Sequence, residues 1–463
     1  MHQAVIDKIP PLGALSFKDR IDLMDETLRE GAERSPVSPT VEAKYLMAKK
    51  LAETGLKSLV IGMFPDVPEN ITFLKRLLEG QHAGDIAADV RFLVVSHIGV
   101  IFEQTLRALD GLKMPLDTVW IIAVHSVSDL QIKHLMPKIL MKDKSSSFDL
   151  ASWKKLTDMQ RREEDLHWYE KLLTGVTRYQ GGGIVAGMLD TFRSDMVHVN
   201  NALDLVGQSG IRQVRLVDTA GTCMPHQVPV YIGEPVRRYP HIDFYAHLHS
   251  DFGMATANAL TALSLGARGV DVSVGGFANR AGHPAVGEVA AALHYLYGVD
   301  LPNFDYGNLF QLSRSLEDLF GLMECPTGAI TGVITHGIMS GIRTELEAAA
   351  PEIFDVIKGD FVGAPYNRVF GSRSGTDGVQ RFMLMNRDKL SQAGLEVNDS
   401  TVLQAHALLM GAWNTQSRQQ ILVLRDLKNR YYQALAEMNF TEDKMLDILL
   451  DSELARKQAQ TAC

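Results

Sequence analysis

Eight short apolar, β-rich runs recur along the first three-fifths of the chain, each followed by a stretch of helical period. They are IDLMDETL, LVIGMF, VRFLVVSH, TVWIIAVHS, GIVAGMLDT, VRLVDTAG, FYAHLHSD and VDVSVGG, with VEAKYLMAKKLAETG and FGMATANALTALSLG among the helical partners. Such alternation builds a parallel sheet, and eight repeats favour closure, so the expected class is α/β, a (β/α)8 TIM barrel. At 463 residues the chain exceeds one barrel. The alternation stops after AVGEVAAALHYLYG, and from about Asp300 the pattern is mostly helical, so the barrel is assigned to 15–300 and a mostly helical C-terminal subdomain to 301–463.

Most polar residues of the eight runs lie at their C-terminal ends: Asp25 to Glu30, His97, His125, Asp190, Asp218 with Thr219, and His247 to Asp251. In a barrel those ends meet at one mouth, where catalytic groups gather. The fourth unit is unusually long, and its MKDKSSS segment reads as an inserted surface loop rather than a lid.

A net charge of -9 argues against a nucleic-acid surface, which needs a clustered basic face. No apolar run approaches the length of a bilayer span and the N-terminus lacks a signal-peptide layout, so a cytoplasmic home with no membrane partner is expected. Cys223, Cys325 and Cys463 are too scattered for a disulfide framework or a thiolate metal site.

HLHSD sets His247 and His249 two residues apart at a strand end, so both imidazoles share a face. A lone HxH is a weak signal, since histidines also sit satisfied in cores. DETLREG adds Glu30, which completes a two-histidine, one-carboxylate set, and Arg29, a planar fork suited to a carboxylate. One carboxylate with two imidazoles is compatible with Mg, Mn or Zn.

DETLREG, VDTAGT, HLHSDFGMATANALTALSLGA and GGFANRAGHPAVGE together resemble the metal-dependent lyase and synthase superfamily that includes isopropylmalate synthase, homocitrate synthase, citramalate synthase and hydroxymethylglutaryl-CoA lyase. The resemblance runs from about Ile21 to Tyr297, and extends more faintly through THGIMSGI and FDVIKGDFVG; glutamate at the metal position is closest to homocitrate synthase. It implies a Claisen-type condensation of acetyl-CoA, or a related acyl-CoA, with a 2-oxo acid, aided by a divalent metal cation in a homodimer. By position, Glu30, His247 and His249 would hold the metal, Arg29 would bind the keto acid, Thr219 would hydrogen-bond its carboxylate, and Asp25 would orient the set. His97, Asp190, Arg193 and Arg280 are further candidates for substrate binding.

Several positions depart from the family. His283 replaces the usual asparagine of the NRAGH loop and is either a further nitrogen ligand or a donor to the ligands. Leu189 stands where the synthases carry a fifth-strand glutamate, Arg343 where they carry a histidine that enolises the acyl-CoA, and Phe354 where they carry a tyrosine. His336 is then the candidate base. An arginine cannot readily serve as a base, yet it binds dianions well. An acceptor with an extra carboxylate or phosphonate, held by Arg343 and Arg280, is one reading of those arginines, and structural ion pairs are the other. GGFANRAG lacks the cysteine of the lyase branch. A metal-dependent aldolase and a non-catalytic keto-acid-binding barrel remain as alternatives, and feedback control is not expected, since no further βαβ-rich domain follows.

Overall fold

The computed structural model describes residues 15–34, 36–65, 67–143, 147–336, 357–365, 374–439 and 441–451. Arg343, Phe354 and Cys463 lie outside them. Eight parallel strands close into a barrel in the order β1 to β8. They are β1 Asp22–Asp25, β2 Ser58–Met63, β3 Arg91–His97, β4 Val119–Ser126, β5 Gly183–Leu189, β6 Gln213–Asp218, β7 Asp243–Leu248 and β8 Gly269–Val272. Each strand falls on its apolar run, although four of them begin one residue before it, at Ser58, Gln213, Asp243 and Gly269.

Helices follow the strands: α1 Val41–Glu53, α2 Pro68–His82, α3 Val100–Gly111, then, after β4, the short α4 Asp129–His134, α5 Met136–Leu140 and α6 Leu150–Trp153 before α7 Asp158–Val176. After them come α8 Met196–Gln208, α9 Glu234–Arg238, α10 Ala255–Ser264, α11 Val286–Tyr297 and α12 Leu309–Phe320. Side-chain caps fix several starts: Thr40 accepts from Ala43 N, Asp195 accepts from Val197 N, and Thr157 with Gln160 forms a capping box. The long fourth unit is more than a solvated excursion. Its α4, α5 and α6 enclose Ile132, Met136, Ile139, Leu140 and Trp153 in a small apolar cluster of their own.

Period-two alternation fills the barrel interior. Met24, Val60, Leu93, Val95, Ile122, Val124, Val185 and Tyr245 form one buried cluster inside it. Below, at the N-terminal end, the Arg91 guanidinium pairs with Asp22 and donates to Gln213 and Ser58. Above, the same alternation sends His97 of β3, Leu189 of β5, Thr219 after β6 and His247 with His249 of β7 toward the mouth. It turns His125 the other way. That histidine leaves the barrel, bonds Asp165 of α7 at 3.0 Å and stacks on Tyr169 at 4.1 Å, so it does not join the mouth as its sequence position suggests.

Two compact units divide the chain. α12, the loop through His336 and residues 357–365 belong to the barrel unit. The second includes α13 Thr376–Met385, α14 Arg387–Gln392, the 40-residue α15 Asp399–Met438 and α16 Glu442–Asp451, with Val379, Met383 and Val402 as its buried cluster. Among the described residues no helix is long and apolar enough to cross a membrane.

Barrel closure depends on the absence of a side chain in β8. A Cβ at Gly269 would lie 2.1 Å from the Asp22 carbonyl oxygen and 2.8 Å from the Tyr245 ring. Gly269→Ala should therefore lower unfolding free energy by about 2 kcal/mol or more, read by chemical denaturation.

Candidate metal centre

The mouth of the barrel is built from three segments. After β1 the chain turns through a single π-helical turn, Thr27–Gly31, which carries Arg29 and Glu30. Asp25 anchors that turn by accepting from the Thr27 amide at 3.0 Å and hydroxyl at 2.9 Å, while Thr27 Oγ1 accepts from Val274 N at 2.9 Å. Asp25 thus orients the Glu30 turn from outside the cluster. The end of β7 supplies His247 and His249. The loop after β8 supplies His283, because Gly282, at φ +97°, doubles the chain back so that His283 N donates to Gly276 O at 3.0 Å. A Cβ at Gly282 would sit 2.0 Å from that oxygen.

One ligand atom from each of Glu30, His247, His249 and His283 lies within 4.8 Å of the others, and all four residues are buried. His247 Nε2 and His249 Nε2 face each other at 3.3 Å. Glu30 Oε1 is 3.5 Å from His247 Nε2, and Glu30 Oε2 is 3.6 Å from His249 Nε2 and 3.2 Å from His283 Nε2. Among the described residues Glu30 Oε2 and both ring nitrogens of His283 are buried with no partner in hydrogen-bond geometry, their 3.2 Å approach to one another included. A carboxylate oxygen and imidazole nitrogens converging in this state are a donor set that a divalent cation satisfies, so the residues fit the metal that the sequence suggested.

Electrostatics favour the liganding protonation states. Burial, then the nearby Arg215 charge, pushes the His247 imidazole down to about 3, and burial with the neighbouring His247 pushes His249 to about 2. Both are neutral at ordinary pH. Burial alone would raise the Glu30 carboxyl, but Arg29 and His283 hold it well below the usual range. Arg29 Nη1 lies 2.7 Å from Glu30 Oε1 and 3.2 Å from Glu26 Oε2; among the described residues its Nη2 meets the Met63 sulfur, at 3.8 Å, and its Nε has no partner. That leaves one edge of the guanidinium open to an anion.

Sequence reasoning missed what lies beneath. Arg215, Glu26 and Asp271 point inward from β6, the end of β1 and β8, and all three are buried. Arg215 bonds both carboxylates, and Asp271 Oδ2 lies 2.6 Å from His247 Nδ1. Arg215 Nη2 reaches the same nitrogen; the Asp271 carboxylate there favours the tautomer that carries the proton on Nδ1 and presents Nε2 to the cluster. The available signal was period two: Met24 and Glu26, Arg215 and Val217, and Tyr245 and His247 share the inward face.

The remaining candidates lie around the mouth. Thr219 Oγ1 accepts from Asp190 N at 2.9 Å, which leaves its hydroxyl hydrogen to donate. Asp190, left-handed at φ 62°, is bonded by Arg193 at 2.8 Å and by Ser128 Oγ at 2.5 Å. Arg280 makes a bidentate pair with Asp251 at 2.9 and 3.0 Å and donates to Thr219 O. Leu189 packs against the interior apolar cluster. His336 donates from Nε2 to Ile330 O at 2.7 Å, and no hydrogen bond or ion pair among the described residues joins it to the Glu30 cluster.

Comparison with known proteins bears on this geometry. The HMGL-like family profile matches residues 20–315. The chain belongs to the HMGL-like family. It is similar to homocitrate synthase AksA of Methanopyrus kandleri, at 27% identity over 84% of this chain and 86% of that one. It is also similar to the probable 2-isopropylmalate synthase of the same organism, at 28% over 82% of this chain and 67% of that one. The 2-phosphonomethylmalate synthase of Streptomyces rubellomurinus is 28% identical over 78% of this chain and 86% of its own. Among solved structures, an HMG-CoA lyase from Bacillus subtilis superposes with a TM-score of 0.50 at 18% identity, over 66% of this chain and 96% of that one, which is a likeness of fold.

Two outcomes follow from the buried charges. Arg215→Met takes from two buried carboxylates the cation they share, leaving Glu26 with Arg29 and Asp271 with His247, and should cost about 3–5 kcal/mol of stability by urea unfolding, part of which Glu26→Gln in the same chain restores. Burial, opposed by the Thr27 hydrogen bonds, raises the Asp25 carboxyl from 3.8 to about 8. A raised carboxyl stabilises the fold while it keeps its proton and loses that contribution as pH climbs. Unfolding titrations should therefore show Asp25→Asn gaining stability relative to the parent between about pH 4 and about pH 8.

Proposed function

We propose that the chain is an acyltransferase that condenses acetyl-CoA, or a related acyl-CoA, with a 2-oxo acid to a 2-substituted malate-type product and free CoA. The convergence of Glu30, His247 and His249 beside the open edge of Arg29 is the observation that carries this reading, and the names of the similar synthases support it. A divalent cation held by Glu30, His247, His249 and His283 would act as a Lewis acid on the keto carbonyl of the acceptor.

The chain's own residues supply the rest. Arg29 presents its free guanidinium edge to the acceptor carboxylate, and the Thr219 hydroxyl donates to the same group. His97, Asp190 and Arg193 line the mouth around the acceptor. His336, whose Nε2 hydrogen is given to Ile330 O, keeps its Nδ1 lone pair for a proton and is the base for the acyl-CoA methyl group. Carbon–carbon bond formation at the keto carbon, protonation of the resulting alkoxide and hydrolysis of the thioester by water complete the reaction.

Arg280 bears on the dianionic acceptor. It is neutralised by Asp251, so a second anionic group must share or displace that carboxylate, with Arg343 as the other candidate clamp. The likeness to a 2-phosphonomethylmalate synthase supports phosphonate acceptors in the test panel. A cytoplasmic home belongs to the same proposal, as does a homodimer, which exposed apolar residues along α15 such as Ile421, Leu424 and Leu427 support.

A second reading, a metal-dependent aldolase, is favoured by Leu189, an apolar core residue where the synthases carry glutamate. Incubating metal-loaded protein with acetyl-CoA and a panel of 2-oxo acids, dicarboxylic and phosphonate members included, separates the two. Thiol release with at least one acceptor is expected. Silence across the panel, with a 4-hydroxy-2-oxo acid cleaved instead, would establish the aldolase. Arg29→Ala should lower kcat/KM about 100-fold or more through loss of a charge-assisted contact.

A further inference from the structure

The departure at His283 changes the chemistry of the donor set. An asparagine there would add an amide oxygen; this chain adds a third imidazole. The His283 ring lies 4.4 Å from that of His247 and 4.5 Å from that of His249, centroid to centroid, and its side chain is wholly buried. Among the described residues neither of its ring nitrogens has a partner in hydrogen-bond geometry, and Nε2 faces Glu30 Oε2 at 3.2 Å.

Oxygen donors are meanwhile withheld. Glu26 Oε1 and Asp271 Oδ2 are bound by Arg215, and Asp271 Oδ2 also holds His247 Nδ1; among the described residues Asp271 Oδ1 has no partner, but Asp271 is not one of the four residues that converge with Glu30. Asp251 is paired with Arg280. Glu30 Oε1 accepts from Arg29, and Glu30 Oε2 is the carboxylate oxygen at the cluster that lacks a hydrogen-bond partner. The Glu30 group therefore offers three imidazole nitrogens and one carboxylate oxygen without a hydrogen bond, where Mg2+ demands a shell of oxygens and gives up its waters reluctantly. Imidazole suits the first-row transition ions instead, and the preference grows along that row.

We propose that His283 makes this centre selective for a first-row transition cation, such as Mn2+, Co2+ or Zn2+, over Mg2+. The inference rests on the reading of the Glu30 cluster as a cation site and adds the class of ion that it takes. His283 is a ligand here rather than a donor to other ligands: its Nε2 faces Glu30 Oε2, itself a member of the donor set, at 3.2 Å outside hydrogen-bond geometry, and its Nδ1 has no hydrogen-bond partner among the described residues.

The test is equilibrium dialysis of chelator-stripped full-length protein, with metal content read by mass spectrometry. One equivalent of Mn2+ or Zn2+ should be retained against an about 100-fold excess of Mg2+. His283→Asn, folded by circular dichroism, should weaken Mn2+ and Zn2+ by about 10- to 100-fold while Mg2+ changes far less. In the Co2+-loaded protein the same substitution should move the visible absorption to lower energy, because an oxygen replaces a nitrogen. Stoichiometric binding with Mg2+ competing on equal terms overturns the inference and leaves the cation site standing. Absence of stoichiometric binding by any of these ions overturns both. If the asparagine variant does not fold, the competition on the parent protein still decides between these outcomes.

Discussion

A single buried guanidinium holds the upper barrel together. Arg215 has two carboxylates to neutralise, Glu26 from the start of the chain's first loop and Asp271 from its last strand, so it spans the seam where β1 meets β8. An ion set in a barrel interior is expensive unless every member is paired, and here each member also serves the layer above. Asp271 holds His247 in the tautomer that presents Nε2 upward, and Glu26 steadies the arginine that neutralises Glu30. The mouth is organised from below.

The fold was legible because barrel strands are short, apolar and rhythmically interrupted, and the site was legible where chemistry coincides with spacing. His247 and His249 share a face at a strand end, and Glu30 follows an arginine at another, so a sequence pattern suffices to pair them. Arg215 was harder to see: in VRLVDTAG the terminal aspartate and threonine draw attention, although the arginine shares the inward face with Tyr245 and His247. His125 shows the opposite error. A strand end fixes height in the barrel but not direction, and one residue of phase turns a candidate mouth histidine into a partner for Asp165 and Tyr169 outside the barrel.

His283 was half legible. The NRAGH motif showed that an imidazole replaces an amide, but the direction of that imidazole depends on a loop reversal at Gly282, a long-range backbone event without periodic signature. Leu189 is its counterpart. A lost glutamate reads as a deficit in sequence, whereas in the barrel the leucine extends the apolar packing up to the rim of the site. The walls of the mouth thus change from hydrocarbon to charge within one strand residue, between Leu189 and Asp190.

The Arg91 plug at the opposite end has a consequence for traffic. With Asp22, Gln213 and Ser58 bonded to that guanidinium, and a layer of packed aliphatic side chains above it, the barrel has a floor. Whatever reaches the Glu30 cluster must arrive and depart through the same rim. The floor of the barrel, far from the Glu30 cluster, thereby makes the rim the place where entry and exit are controlled.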